Sequence, residues 1–245
     1  MVMKIILTLL CCISLYTVQA QQTITKTYAV KPGQELEFSF DYPRVVKLST
    51  WDKPEIAVTA TVSINNGENN DAFQLIETTN GNTLSIKNII KDMDKLPKRY
   101  TVIHEGKKTV YTSKEDFRSM TAGLKGARSY SEGVDMEITI EIKVPQSQLS
   151  TFVKAKYGIV ELANYNAPIK VDATYGGIDA SVNEAATGKL SATTHYGQIY
   201  SNLTLNITDK EEKDFYTSIT TALGKGPAYA LKSTYGNLYL RKSLK

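Results

Sequence analysis

Residues 171–182 read VDATYGGIDASV, in which a Tyr-Gly pair separates two short apolar runs. The chain contains four such pairs: Tyr157-Gly158, Tyr175-Gly176, Tyr196-Gly197 and Tyr235-Gly236. Apolar residues stand four positions before and three positions after the tyrosines: Val153 and Val160, Val171 and Ile178, Ala192 and Ile199, Leu231 and Leu238. The buried face therefore changes at each pair, which requires a bend that glycine tolerates. The pattern predicts a corner between two strands, with the tyrosines facing inward like the apolar residues before them.

The spacing of the pairs indicates a repeat. Successive tyrosines are 18, 21 and 39 residues apart, so two steps near twenty are followed by one of about double length. We predict a β-solenoid of single-stranded, β-helix-like coils, in which Tyr157, Tyr175 and Tyr196 lie on neighbouring coils and form a ladder with a spacing of roughly 4.8 Å. The long step indicates either a coil without its Tyr-Gly pair or an insertion. A meander or sandwich is the alternative fold, and a stacking platform for flat ligands is the alternative role if the rings face outward.

The rest of the chain also has strand periodicity. Alternating apolar residues occur in 36–40, 56–64 and 136–144, and Asn- and Gly-rich turns separate such runs. We expect an all-β protein with antiparallel or irregular strands in residues 21–90, a basic insertion loop in residues 91–132, and the solenoid in residues 133–245.

The insertion concentrates positive charge. It holds ten Lys and Arg against six Asp and Glu, a net charge of +4. Insertions in repeat proteins often carry the contact surface, so a partner could bind here; the alternative is a solvated loop. Ser113 and Asp116 have the spacing of a helix cap. The candidate partner-contact residues are Arg99, Tyr100, Lys107, Lys108, Tyr111 and Arg118.

The first twenty residues resemble a secretory signal. Lys4 precedes an apolar run, and Val18-Gln19-Ala20 fits a cleavage site. We therefore expect export with Gln21 as the first mature residue, and no stable membrane span after cleavage. The only cysteines, Cys11 and Cys12, lie in this leader, so the mature chain would have no disulfide. Its 28 basic and 25 acidic side chains leave a net charge of +3, which does not favour nucleic-acid binding.

The sequence shows no apparatus for catalysis or cofactor binding. The two histidines, His104 and His195, have no metal-ligand spacing, and we expect His195 to be an outward residue of a coil. Neither a nucleophile elbow nor a phosphate loop is present. The enzyme alternative is a polysaccharide hydrolase or lyase in which Glu161 and Asp179, each four residues past its tyrosine, supply two carboxylates. We expect a protein without catalytic, cofactor-binding or metal-binding residues.

Two segments resemble a known family. KSTYGNLYLRK at residues 232–242 and STWDKPEIAVTATV at residues 49–62 resemble the closing coil and an early strand pair of the putative adhesin family of bacterial envelope proteins. The resemblance covers about residues 27–90 and 134–245. It implies a β-strand-repeat domain of the cell envelope whose function is largely unassigned.

These observations predict an exported, non-catalytic envelope scaffold or adhesion-like binding module, located in the periplasm or at the cell surface. The word adhesion comes from the resemblance. The expected partner is an unidentified envelope protein or polysaccharide. A second hypothesis is a periplasmic partner of a membrane signalling protein, docked through the basic insertion.

Overall fold

The computed structural model describes residues 21–146 and 150–243. The leader predicted for residues 1–20 lies outside the described residues. The described residues form twenty strands and one α-helix, so the all-β prediction is confirmed. The elements are β1 (Gln22–Ala29), β2 (Glu35–Phe40), β3 (Val45–Trp51), β4 (Glu55–Ile64), β5 (Phe73–Asn80), β6 (Thr83–Ile90), β7 (Arg99–His104), β8 (Lys107–Tyr111), α1 (Lys114–Thr121), β9 (Arg128–Gly133), β10 (Met136–Pro145), β11 (Thr151–Ala155), β12 (Ile159–Leu162), β13 (Ile169–Ala173), β14 (Ile178–Val182), β15 (Lys189–Thr194), β16 (Ile199–Ser201), β17 (Ile207–Lys213), β18 (Tyr216–Ala222), β19 (Tyr229–Ser233) and β20 (Leu238–Lys242).

Two mixed sheets make up the body of the molecule. The eight-stranded sheet has the order β1-β4-β10-β3-β12-β14-β20-β16, and the nine-stranded sheet has the order β17-β18-β15-β19-β13-β11-β2-β6-β5. Strands from residues 21–90 and from residues 133–245 pair with each other in both sheets, for example β2 with β11 and β3 with β10. The two segments therefore share one core.

Five strand–corner–strand units, which we call the corner units, run through both sheets. Each contributes one strand to the nine-stranded sheet and the next strand to the eight-stranded sheet, and equivalent strands pair in parallel and in register. In spatial order the units are β2–β3, β11–β12, β13–β14, β19–β20 and β15–β16.

The core lies between the two sheets, because the inward side chains of each corner unit meet there. Phe38, Val153, Val171, Leu231 and Ala192 form one buried column of the nine-stranded sheet. Val46, Val160, Ile178 and Leu238 form a buried column of the other sheet. Seven of the eight apolar positions that flank the Tyr-Gly pairs are thus core positions, as their periodicity predicted, and the eighth, Ile199, is half-buried.

The spatial order of the units differs from their order in the chain. We predicted that Tyr175 and Tyr196 lie on neighbouring units, and this is wrong: the β19–β20 unit lies between β13–β14 and β15–β16. The hairpin β17–β18 accounts for the long step of 39 residues. It lies between β16 and β19 in the chain and pairs with β15 at one end of the nine-stranded sheet. Of the two alternatives, the insertion applies. Sequence spacing counts residues between units, whereas strand pairing decides which units become neighbours.

Residues 91–132 are folded, which differs from the insertion loop that we expected. Strands β7, β8 and β9 form a three-stranded antiparallel sheet, in the order β8-β7-β9, and α1 packs on β7 and β8. The predicted cap is confirmed, since the Ser113 hydroxyl accepts a hydrogen bond from the Asp116 amide at 3.0 Å. Short strands such as KKTVY in β8 carry too few apolar residues to show strand periodicity, so this sheet could not be predicted from the pattern of apolar residues.

Candidate functional site

An unbroken row of aromatic rings follows the corner between the two sheets. In spatial order the rings belong to Tyr42, Tyr157, Tyr175, Tyr235, Tyr196 and Phe215, and we call this row the aromatic strip. Neighbouring ring centroids are 5.0–5.6 Å apart. The four tyrosine pairs are nearly parallel, with interplanar angles of 7–19°, and the Phe215 ring is tilted by 31° from Tyr196. The rings therefore stack from one corner unit to the next, across the strands, in the direction of the inter-strand hydrogen bonds.

The rings of the strip lie on the outside of the molecule. Tyr175, Tyr235 and Tyr196 are 52–59% exposed, and Phe215 is 74% exposed. The prediction that the tyrosines face inward is therefore wrong. Strand alternation holds only to the residue two before each tyrosine, such as Ala155 or Ala173, where the strand ends. The tyrosine already belongs to the corner, so its parity with the preceding apolar residues does not fix its direction.

The corner glycines allow the backbones of neighbouring units to touch. A Cβ on Gly176 would lie 1.4 Å from the carbonyl oxygen of Gly158, and one on Gly236 would lie 2.3 Å from that of Gly176. Among the four corner glycines only Gly158 has a positive φ, of 79°. Close backbone approach, rather than the unusual backbone angles that we expected, is therefore the main reason for glycine at these corners.

Buried hydroxyls fix the corners beneath the strip. The Ser233 hydroxyl donates to the carbonyl oxygen of Gly176 at 2.8 Å and accepts from the amide of Gly236 at 2.9 Å. Thr194 donates to the carbonyl oxygen of Gly236 at 2.9 Å. Both side chains are fully buried, so these bonds tie neighbouring corners together in a site without water competition.

The two end rings of the strip come from residues outside the Tyr-Gly pattern. Tyr42 and Phe215 have φ values of 70° and 59°, which are unfavourable for bulky side chains. Sequence reasoning missed both. The available signal for Tyr42 is its position. It follows Phe40 by two residues, as Tyr157 follows Ala155, and Phe40 and Ala155 are paired. Phe215 lies between β17 and β18 and had no comparable signal.

The stacking determines what the strip can offer to a ligand. Each inner ring has its faces covered by neighbours, so ring edges and phenol hydroxyls face solvent. A tyrosine edge combines an apolar body with a hydroxyl that can donate and accept. Lys156 lies beside the strip, with its ammonium 5.7 Å from the centroid of Tyr157. The strip is therefore a row of stacked rings that offers ring edges and, at its five tyrosines, phenol hydroxyls, and not a platform of open ring faces.

The candidate contact residues of the insertion have different surroundings. Arg99 is only 7% exposed and forms an ion pair of 2.5 Å with Glu68, which leaves little of its side chain open to a partner. Tyr100 and Tyr111 pack on Phe117 at 5.8 and 5.9 Å. Lys107 and Arg118 are exposed.

Lys108, the sixth candidate, forms ion pairs with Asp135 at 2.5 Å and Glu137 at 3.2 Å. Partial burial by itself lowers the pKa of Lys108, but the hydrogen bonds and charges of the two carboxylates outweigh it, so the pKa lies above its ordinary value. With Arg99 and Glu68, this cluster fastens the three-stranded sheet to the body of the molecule.

The carboxylates of the enzyme alternative are on neighbouring strands. Glu161 and Asp179 are paired in register, and Asp179 forms an ion pair with Arg241 at 2.7 Å. The next residue in this column is Tyr239, which stacks with Tyr200 at 5.2 Å. Within residues 21–146 and 150–243, no three His, Cys, Asp or Glu side chains cluster as metal ligands would.

His195 is half-buried, and its ring meets Tyr216 edge-on at 5.0 Å. We expected an outward residue of a coil at this position, and the hairpin β17–β18 supplies the ring that partly covers it.

None of the helices in the described parts of the chain is both long and apolar enough to cross a membrane.

Comparison with known proteins gives two similar solved structures. A putative cell adhesion protein from Clostridium sporogenes has 8% identity and a TM-score of 0.47, and the match covers 90% of this chain and 100% of that chain. A putative adhesin from Bacteroides fragilis has 13% identity and a TM-score of 0.23, with 89% and 97% covered. No protein-family model and no curated protein matches the chain. Because both TM-scores are below 0.5, neither likeness decides the family, and membership of the adhesin family stays a prediction.

Proposed function

We propose that this protein is an exported, non-catalytic, adhesion-like binding module of the cell envelope, and that the aromatic strip is its contact surface. In this proposal the five corner units act as the coils of a β-solenoid, which holds the strip straight. The ligand is a linear polysaccharide that lies along the strip.

The observation that carries the proposal is a row of six stacked rings, of which five are exposed and the sixth, Tyr42, is half-buried. Contiguous exposed apolar surface marks interaction sites in soluble proteins. A purely structural stack does not need its outer members, yet Tyr42 and Phe215 extend it at both ends with a strained backbone. Such strain costs on the order of 1–3 kcal/mol per residue and is concentrated at functional sites.

The shape of the strip favours a linear polymer. Its ring centroids recur at intervals of 5.0–5.6 Å, which suits a ligand that also repeats along one direction. Sugar hydroxyls can exchange hydrogen bonds with the phenol groups, while C–H surfaces of the sugar rings cover the apolar edges between them. Because each contact is weak, affinity arises from several rings bound at once.

The basic insertion supports a second candidate, a docking surface for an acidic partner of a membrane signalling protein. Lys107 and Arg118 are exposed, and the segment has a net charge of +4. The buried Arg99 and the ion-paired Lys108 reduce the positive surface that is open to a partner. The strip is therefore the first candidate. The absence of enzymatic activity is also part of this proposal.

The test is binding to a panel of linear envelope polysaccharides, measured by affinity electrophoresis and calorimetry. The double variant Tyr175→Ala, Tyr235→Ala should weaken binding at least tenfold. The matched control is Tyr200→Ala, Tyr239→Ala, which removes another stacked tyrosine pair outside the strip and should bind normally. Full binding by the folded strip variant would contradict the proposal. Loss of binding only when residues 91–132 are replaced by a short linker would favour the insertion instead.

A further inference from the structure

The outer edge of β1 is an open end of the eight-stranded sheet. Among the described residues β1 pairs only with β4, so the backbone groups on its other side have no strand partner there. The strand is eight residues long, QTITKTYA, and contains no proline, glycine or register shift. An edge of this kind is a template for pairing with another strand.

The other ends of the two large sheets have protection that β1 lacks. The edge strand β17 is fully exposed, carries five consecutive charged residues from Asp209 to Lys213, and has a register shift against β18. The edge strand β16 has only three residues. On β5, the Leu75 carbonyl oxygen accepts a hydrogen bond of 3.0 Å from the ammonium of Lys26. Lys26 is the one charged residue of β1, and this bond holds its ammonium at the end strand of the other sheet.

Strand geometry limits how β1 could pair with β1 of a second copy. Residues directly opposite in an antiparallel pair have side chains on the same face. Thr25 lies on the outer face opposite Thr59 of β4, with their hydroxyls 3.1 Å apart. In a dimer whose two-fold axis is perpendicular to the sheet, the outer faces of both copies lie on the same side. Opposed residues must then point to the same face, so the axis passes through one residue of β1, and this residue lies opposite the same residue of the second copy. The central choices for that residue are Ile24, Thr25 and Lys26.

The Thr25 register is the most favourable of the three. It pairs residues 22–28 of one copy with residues 28–22 of the other, places Thr23 opposite Thr27, and keeps the threonine row of the outer face continuous. The Lys26 register puts like charges opposite each other, and the Ile24 register shortens the pairing. The Thr25 register also brings Gln22 of the second copy opposite Tyr28, whose buried hydroxyl has no hydrogen-bond partner among the described residues.

We propose that a second copy of this chain occupies the β1 edge, in an antiparallel, two-fold dimer centred on Thr25. The dimer joins two eight-stranded sheets into one continuous sheet and removes the unprotected edge. It is a closed, self-complementary interface of the kind that is commonest among soluble oligomers. It does not depend on the function of the aromatic strip.

The test uses the chain from Gln21, which contains all described residues and no native cysteine. Directly opposed residues have Cα atoms about 4.5–5.5 Å apart, a separation that a disulfide can span. Thr25→Cys should therefore give a disulfide-linked dimer with a mild thiol oxidant such as diamide. Thr59→Cys, on the same face but one strand farther from the edge, is the matched control and should stay uncrosslinked.

Light scattering after gel filtration gives the second measurement. The unmodified chain should be a dimer, and Thr25→Lys should weaken dimerisation at least tenfold because two cations then meet on the axis, whereas Thr59→Lys should stay dimeric. Both lysine variants should keep the β circular dichroism of the parent chain. A monomeric parent chain at high micromolar concentration overturns the proposal. So does a dimer that crosslinks through position 59 and not through position 25.

Discussion

The molecule holds two tyrosine-rich clusters with opposite geometry. In the aromatic strip the tyrosine rings are parallel, with angles of 7–19°, and their edges face solvent. Between α1 and the three-stranded sheet, Phe117 is the centre of a cluster in which Tyr111 and Tyr130 meet its ring at 72° and 86°. The same residue type is thus arranged as a straight row in one region and as a compact cluster in the other.

The difference shows what imposes each arrangement. Parallel strands in register repeat every side chain at one spacing and in one direction, so equivalent tyrosines can only stack face to face. Where a helix crosses a small antiparallel sheet, side chains converge from several directions, and edge-to-face contacts fill the space. The strip is therefore a product of the repeat, and the Phe117 cluster is a small local core.

The largest expected effect is at the corners, where backbone contact sets the spacing of the strip. Gly176→Ala should lower the free energy of unfolding by about 3 kcal/mol or more, because the new Cβ would collide with backbone and the units would have to separate. Gly133→Ala is the control: no atom lies within 4 Å of its Cβ position, so the change should stay within about 0.5 kcal/mol. Urea denaturation measures both, and similar losses would show that backbone contact does not hold the stack.

The second effect should be confined to the insertion. Phe117→Ala should cost about 2 kcal/mol of local stability, reduced from a full core value because Phe117 is half-buried. Hydrogen exchange should then show faster exchange of the amides in β7, β8 and β9, with β11, β13 and β19 unchanged. Met120→Ala, at a 66% exposed position of the same helix, should leave both regions unchanged. Loss of protection throughout the molecule would contradict a separate local core.

The third effect measures stacking within the strip. Tyr235→Ala removes contacts with both Tyr175 and Tyr196 and should cost about 1.5 kcal/mol, since aromatic pairs contribute roughly 0.5–1.5 kcal/mol each. Tyr200→Ala removes one ring stack, with Tyr239, and an exposed hydrogen bond to Gln198, and should cost about half as much. Thermal or urea melts of the two variants would give equal losses if stacking in the strip contributed nothing extra.

The smallest effect separates backbone strain from ring contact at the end of the strip. Phe215→Gly and Phe215→Ala both remove the ring, but only glycine relieves the left-handed backbone at φ 59°. The glycine variant should therefore be more stable than the alanine variant by about 1 kcal/mol. If the two variants unfold at the same urea concentration, Phe215 is not strained and the strip ends without a conformational cost.

Several features follow from local rules and were predicted from sequence. Alternation identified the core strands, the parity change at Tyr-Gly identified the corners, and the Ser113 and Asp116 spacing identified the start of α1. The export leader is also a sequence prediction, and it lies outside the described residues. These features depend on neighbours within a few positions, where the period of a strand or the geometry of a cap fixes the outcome.

Tertiary structure alone decided the order of the units, the direction of the rings and the membership of the strip. The β19–β20 unit enters between two earlier units, because strand pairing depends on edges that are free in space and not on distance along the chain. The tyrosines point outward because the chain leaves the strand before reaching them. Tyr42 and Phe215 join the strip from segments without Tyr-Gly, and Arg99 is buried in an ion pair with Glu68. By itself the sequence determined which residues are buried in each strand; the packing of strands that are distant in sequence determined which side chains meet at the surface.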